Sequence, residues 1–319
     1  MAETTVRASG ATPARPPAGP APGPFSGRAA DRIHAWKSGR LAFLPGLLPV
    51  LLLYGGLLVV PMLVLGRYSF YEMRPGGVRV LAPWTTANYR RFFTDSFYLG
   101  VLGETLLTGL IVVVACTVLS YPVAYVLARL RRGKALLFLM VLAPFLVSQV
   151  VKTYGWMVIL SGQGFLNWVL LGTGLTTERV QLLYSRTGIV IGMVHVLIPF
   201  MILTLESVLR QIGDDLLDAA RSLGAPESQV FFKVVLPLSL PGLVAGSLLV
   251  FSLAVSIFTT PALMGGDRVQ LMSNFIYKRA VSLLDWPLAA VGAWVLLVTA
   301  LLIIVVYLRL FGRQRWEMA

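Results

Sequence analysis

The sequence predicts an all-α, polytopic membrane protein: six transmembrane helices, with a two-helix loop projecting between the fourth and fifth. Three observations carry this expectation. Hydrophobic residues make up 57% of the 319 positions and charged residues only 13%, about half the ~25% of soluble domains. Six separate stretches are long enough to cross a ~30 Å hydrocarbon core, which takes about 20 apolar residues. One polar segment between them carries the end signals of two short helices. The composition excludes disorder, a disulfide-rich secreted fold and an ordinary cytosolic enzyme. The 27 Lys+Arg against 14 Asp+Glu, net +13, would suggest nucleic acid on a soluble domain. Beside this apolar excess it points to a lipid bilayer, and no nucleic-acid partner is expected.

The elements follow in order. Residues 1–40 form a basic Pro/Ala/Gly-rich leader, whose segment 8–30 (ASGATPARPPAGPAPGPFSGRAA) holds six prolines and no apolar run. It cannot bury a core and is expected to be disordered. Without an apolar h-region it is not a secretory signal; span one is a candidate uncleaved anchor. The expected spans are 41–66, 99–128, 135–160, 187–210, 240–263 and 287–311, within a permease-like unit 41–311 followed by a basic tail, 312–319. Pro144, Lys152 and Gly155 interrupt the third span, which is tolerated only where protein or a water-lined cavity satisfies the freed backbone groups. The lone Cys116, in IVVVACTVL, excludes an intrachain disulfide and a cysteine metal cluster, and reads as a small buried residue.

Orientation follows from cations beside span ends. Arg129-Leu130-Arg131-Arg132-Gly133-Lys134 separates spans two and three. Arg28, Arg32, Lys37 and Arg40 precede span one, and Arg309, Arg313 and Arg315 follow span six. With an even number of spans, all three clusters share one face, so both termini are expected in the cytoplasm.

The loop between spans four and five, about 213–237, is then cytoplasmic. Asp214 is an expected N-cap, with Asp215 and Asp218 favouring the positive end of the helix dipole. Gly224 falls where a C′ glycine ends a helix. Pro226 suits the N1 position of a second helix, with Glu227 beside it. Leu216, Ala220 and Leu223 share one face of the first helix, and Val230, Phe231 and Val234 one face of the second. A mere connection needs no such faces, so they suggest a partner.

At this point the residues resemble a family. Asp218-Ala219-Ala220, three residues, Gly224, nine residues, then Val234-x-Leu236-Pro237 is similar to the EAA loop of inner-membrane permease subunits of binding-protein-dependent ABC importers. Asp218 replaces the family's Glu and Val234 its Ile. The resemblance implies the type I importer permease fold. It also implies that this loop docks on an ATPase subunit, with Leu223, Phe231 and Phe232 as apolar anchors, Gly224 setting the angle, and Ala225 in the turn. It extends over about 41–311. Pro144-Phe145, Lys152-Thr153-Tyr154-Gly155-Trp156, Leu183-Tyr184-Ser185, Pro199-Phe200-Met201-Ile202-Leu203, Gly265-Gly266 and Asp285-Trp286-Pro287 look most like the first permease of spermidine/putrescine importers. Lys152 stands where that group commonly has Arg. Implied partners are two ATPase subunits, a second and similar permease, and a periplasmic solute-binding protein.

The chain has no Gly-x-x-x-x-Gly-Lys-[Ser/Thr]; its one Gly-Lys, Gly133-Lys134, is followed by Ala135. It therefore lacks a phosphate-cradling loop. Any ATP consumed is bound by another chain, and no cofactor or metal is expected here. Intramembrane polar residues are the first candidates for a solute path: His195, Glu206, Tyr154 and Trp156. For each a structural reading stands beside it. Glu206 can pair locally with Arg210 four residues on. His195 can be a packed, hydrogen-bonded interhelical residue. The two aromatics can form an interfacial belt or hold an amine by cation–π contact. Lys152 reads as an anchor or an acid's partner, Glu104 as an interfacial residue, and Asp267 and Asp285 as loop residues able to meet a binding protein. Two other classes compete: a stand-alone secondary transporter, which would not need the capped loop, and a membrane enzyme, for which no catalytic set stands out.

Overall fold

A computed structural model describes residues 44–73, 80–130, 132–266 and 268–311. The leader 1–40, the tail 312–319, Arg131 and Asp267 lie outside the described residues, so the expectations placed on them do as well. The chain divides into two compact units, Met1–Leu63 and Val64–Ala319. The described part of the first is the opening of helix α1, Leu44–Ser69.

The second unit is helical but for a small ribbon. Strands β1 (Tyr71–Met73) and β2 (Val80–Trp84) pair antiparallel, and helix α2, Ala87–Thr94, follows. The helices after it are α3 (Ser96–Arg129), α4 (Lys134–Leu146), α5 (Gln149–Leu160), α6 (Phe165–Gly172), α7 (Arg186–Leu209), α8 (Asp214–Ser222) and α9 (Glu227–Val230). A π-helical turn, Phe231–Val235, leads into α10 (Leu236–Ser256). Then come α11 (Thr259–Met264), α12 (Met272–Tyr277), a second π turn Lys278–Ser282, and α13 (Trp286–Phe311). Among the described residues, six helical segments are long and apolar enough to cross a membrane: 48–69, 96–129, 149–172, 186–209, 227–256 and 286–310.

The number of spans agrees with the sequence; the third and fifth differ in detail, and proline is the reason for both. The expected span 135–160 is broken. Helix α4 ends two residues after Pro144, Val147 and Ser148 are extended, and a new helix starts at Gln149. Thirteen residues reach only about 20 Å, so α4 is too short to cross. The long apolar segment runs instead from α5 through α6. Lys152 Nζ donates to the Pro144 carbonyl at 2.8 Å, filling one of the acceptors that a helix end leaves open. In the fifth span, Pro261 has no N–H to return to the Ile257 carbonyl. The helix stops at Ser256, and Ser273 Oγ supplies the missing donor to Ile257 at 2.9 Å.

Span four (α7) is the most buried and lies against spans two (α3) and five (α10). Spans two and four run side by side in register. Glu104 and Arg186 form a two-pronged ion pair near their starts, Cys116 Sγ faces the Val194 carbonyl at 4.0 Å, and Ser120 Oγ donates to that of Ile198 at 3.4 Å. Glu104 is thus part of an interhelical pair. The contact face of α3 is small and regularly spaced: Gly109, Val112, Cys116, Ser120 and Ala124 are all buried. Where helices associate without a solvent-driven hydrophobic effect, such small residues let backbones approach. Span five meets span four through Gly242 and Gly246, where a Cβ would stand 3.0 Å from Val208 and 2.6 Å from Met201 Sδ. A second apolar cluster (Phe92, Tyr98, Phe275, Leu288 and neighbours) closes the end of span two opposite Arg129. There Arg279 lies over the Tyr98 and Phe275 rings and pairs with Asp285 at 3.5 Å. Two motifs distant in sequence also meet: Tyr184 N donates to the Met264 carbonyl, and the Tyr184 ring covers Gly266.

Gly246→Val should lower stability by about 1–3 kcal/mol through overpacking, measured as a shift in the denaturation midpoint of the purified protein. Gly103→Val, where a side chain would meet nothing within 4 Å, should shift it far less.

Candidate coupling segment and intramembrane cavity

The segment between spans four and five is built by its local sequence. Helix α8 ends in a paired C-terminal motif: Gly224 N–H bonds the Arg221 carbonyl at 2.9 Å and Ala225 N–H that of Ala220 at 3.2 Å. This requires the left-handed conformation of Gly224, φ +83°, which is nearly free of cost only for glycine. Arg221 then clamps the turn. It donates to Asp218 Oδ1 at 2.8 Å within α8 and to both oxygens of Glu227, at 2.6 and 3.3 Å, at the start of α9. Hydrogen bonds from Glu227 and Asp218 push the guanidinium pKa further above its ordinary range, so Arg221 is always charged. Exposed pairs are individually weak, but this one spans the hinge between two helices and fixes their angle.

Several local expectations are corrected. Gly213 is the N-cap and Asp214 is already inside the first turn; its carboxylate pairs with Arg129 Nη1 at 2.7 Å. Pro226 is the N-cap of α9, not its first helical residue. The second helix is not separate: α9 runs through the π turn into span five. The turn ends two residues before Pro237, which has no N–H to give to an i−4 carbonyl. Leu217, Val230 and Val235 are the buried members of this segment, with Ala220 and Val234 half-buried. Leu223 (89% exposed), Phe232 (63%) and Leu216 (48%) face outward, as do Asp218, Ala219, Gly224 and Pro237; Ala225 and Leu236 are half-exposed. Phe231, expected beside Phe232 as an anchor, turns inward instead, edge-on to the rings of Tyr121 and Tyr125 at 5.4 and 6.2 Å.

A cavity of about 520 Å³ opens at the break in the third span, bounded by α7 and the end of α10. Phe145, Ser148, Gln149, Lys152, Phe200 and Ser256 are among its walls. The Gln149 amide nitrogen is buried with no hydrogen-bond partner. None of Tyr154, Trp156, His195 and Glu206 lines this cavity. Trp156 Nε1 donates to His195 Nδ1 at 2.6 Å, which leaves the proton of a neutral imidazole on Nε2. The pair ties α5 to α7. Tyr154 is exposed. Glu206, 8% exposed, does not pair with Arg210; its partner is Lys134 Nζ, at 2.7 Å. That lysine starts α4, 72 residues earlier, so helical spacing could not reveal the pair. The cavity residues had one signal in the sequence, the Pro144 interruption, which marks a break but not which side chains surround it. Among the described residues no group of three or more His, Cys, Asp or Glu could hold a metal.

Comparison with known proteins gives a consistent picture. A family model described as "Binding-protein-dependent transport system inner membrane component" matches residues 120–313. The chain is 36% identical over 227 residues to the spermidine/putrescine transport system permease protein PotB of Escherichia coli K12, covering 71% of this chain and 82% of the relative. It is 34% identical over 251 residues to PotB of Haemophilus influenzae, covering 78% and 87%. In fold it is similar to a chain of a bacterial ABC transporter involved in import of the acidic polysaccharide alginate, with a TM-score of 0.69, 17% identity, and coverage of 90% of this chain and 98% of that one.

Two outcomes follow from the geometry. Gly224→Ala meets no atom but must hold a positive φ, so it should cost about 1–2 kcal/mol, with Gly224→Asn closer to wild type; chemical denaturation measures both. Glu206→Gln and Lys134→Met should show a coupling of about 1–3 kcal/mol in a double-mutant cycle.

Proposed function

The chain belongs to the family of binding-protein-dependent transport system inner membrane components, and from that premise we propose that it is the permease subunit of an ABC importer that carries polyamines such as spermidine and putrescine. The observation that carries the substrate is the 34–36% identity to two PotB permeases over 82–87% of their lengths. As a family member it is a multi-pass inner-membrane transport component.

In this reading, residues 41–311 form the permease domain. The segment 213–237 and both termini face the cytoplasm, where the basic clusters lie. The outward-facing Leu223 and Phe232, set on a turn stiffened by Arg221 and Gly224, dock on an ATPase subunit. ATP is bound and hydrolysed there, and the chain itself needs no cofactor. Closure of two ATPase subunits moves the turn as a rigid body and rocks this permease against a second, similar one. A periplasmic binding protein delivers the solute. The solute passes beside the broken third span, whose walls are aromatic and hydrogen-bonding. Trp156 and His195 brace that region, Tyr154 is available to the path or to the second permease, and Glu206 with Lys134 ties spans three and four.

A second reading, an importer of an anionic solute, has one observation in its favour. Lys152 is the one charged residue among the described walls of the cavity, and a polyamine gains nothing from it.

The complete importer, reconstituted with its ATPase, second permease and binding protein in proteoliposomes, separates these readings. ATP- and binding-protein-dependent accumulation of labelled spermidine is the expected result. Leu223→Asp should reduce it about tenfold or more, because a buried apolar anchor is worth about 1.5–3 kcal/mol. Accumulation of sulfate or a carboxylate but not spermidine would favour the second reading. Uptake by this chain alone, without ATP, would overturn both.

A further inference from the structure

We propose that Arg129 is the positioning residue that carries motion of the coupling segment into span two. The inference rests on the coupling reading above and assigns the route by which that segment acts on the membrane helices.

Arg129 is the last residue of α3. Its Nη1 donates to the Ile212 carbonyl at 2.9 Å, in the short link between span four and α8, and to Asp214 Oδ1 at 2.7 Å, in the first turn of α8. One guanidinium nitrogen thus holds both the backbone that enters the coupling helix and the helix itself. Its side chain is 21% exposed, and its charge lies over the Tyr125 ring at 5.8 Å.

The residues one and two turns earlier complete the grip. Tyr121, Tyr125 and Arg129 are spaced i, i+4, i+8 and therefore share one face of span two. Tyr121 and Tyr125 hold Phe231 between them. The Tyr121 hydroxyl meets the buried Ser239 Oγ, near the start of α10, at 2.8 Å. This face therefore holds both arms of the coupling segment: Arg129 the arm leaving span four, the two tyrosines the arm entering span five. Neither arm can tilt without pulling on span two or breaking these contacts. From there the in-register pairing with span four continues to Glu104 and Arg186, about 25 residues or ~38 Å along the helix.

The guanidinium also has donors to spare. Its Nε and Nη2 are buried and have no hydrogen-bond partner, a costly arrangement for a charged group. Idle donors beside a two-bond grip suit a clasp that changes partners as the coupling segment shifts, since a second arrangement can fill what this one leaves open. The exposed Arg132, three positions on, makes no hydrogen bond or ion pair of this kind and serves as the control.

The test is the number of solute molecules moved per ATP hydrolysed by the complete reconstituted importer. Arg129→Gln and Asp214→Asn are each expected to lower that ratio about tenfold in complexes assembled to wild-type yield. Arg132→Gln should leave it unchanged. The charge-swapped pair Arg129→Asp with Asp214→Arg should recover a substantial part of the loss. The proposal is overturned if Arg129→Gln leaves the ratio intact, or if it lowers assembly, hydrolysis and uptake together with no rescue by the swap, which would mark a purely structural role. Failure of the coupling reading itself looks different: Leu223→Asp would then leave both hydrolysis and uptake at wild-type levels.

Discussion

Within hydrocarbon, a backbone amide or carbonyl without a partner costs several kcal/mol, and the architecture is organised around avoiding that cost. Helices satisfy it internally wherever the chain is apolar and free of proline. Pro122, Pro199 and Pro241 lie inside unbroken helices, but at two other prolines a helix ends nearby and a side chain fills an open carbonyl. After Pro144 the helix ends at Leu146, and the lysine amine of the next helix fills the Pro144 carbonyl that this end leaves open. At Pro261 the helix ends at Ser256, and a serine from a later segment fills the carbonyl at Ile257. Both repairs border the cavity at the third span. The cavity is therefore a consequence of satisfied breaks.

The same constraint explains the contrast between packing and coupling. Spans two, four and five approach closely through Gly109, Cys116, Ser120, Gly242 and Gly246, because small residues bring backbones together where apolar area alone offers little preference between protein and lipid. Outside the bilayer the chain uses charge instead. Arg221 stiffens the turn, Arg129 ties it to span two, and Lys134 ties span three to Glu206. An apolar interior thus packs through small residues, while charged groups at one end tie the segment between spans four and five to it.

Some of the site could be read from neighbouring residues and some could not. Gly224 was legible because its role is local: a left-handed turn at the end of a helix needs glycine, and its partners are three to five residues away. Phe231 was legible only in part. Counting placed it on one face with Val230 and Val234, and that face does turn inward, with Val230 buried and the other two half-buried. The resemblance made it an outward anchor, and its actual neighbours, the rings of Tyr121 and Tyr125, lie about a hundred positions earlier and meet it only after the helices pack. Glu206 was misassigned for another reason. A candidate partner four residues away exists in Arg210, but the one that uses it, Lys134, is close only after spans three and four pack.

The sequence by itself determined that the chain is a bundle of membrane helices, how many spans to expect, and that the polar segment between the fourth and fifth holds a short helix closed at Gly224. These properties depend on composition and on contacts within a few residues, which the order of amino acids states directly. The tertiary structure decided where the third and fifth spans break and which residues wall the cavity. It also decided that Arg129, Tyr121 and Tyr125 close on both arms of the coupling segment. Those features join residues about 80 to 120 positions apart, and such pairings exist only once the helices have packed side by side.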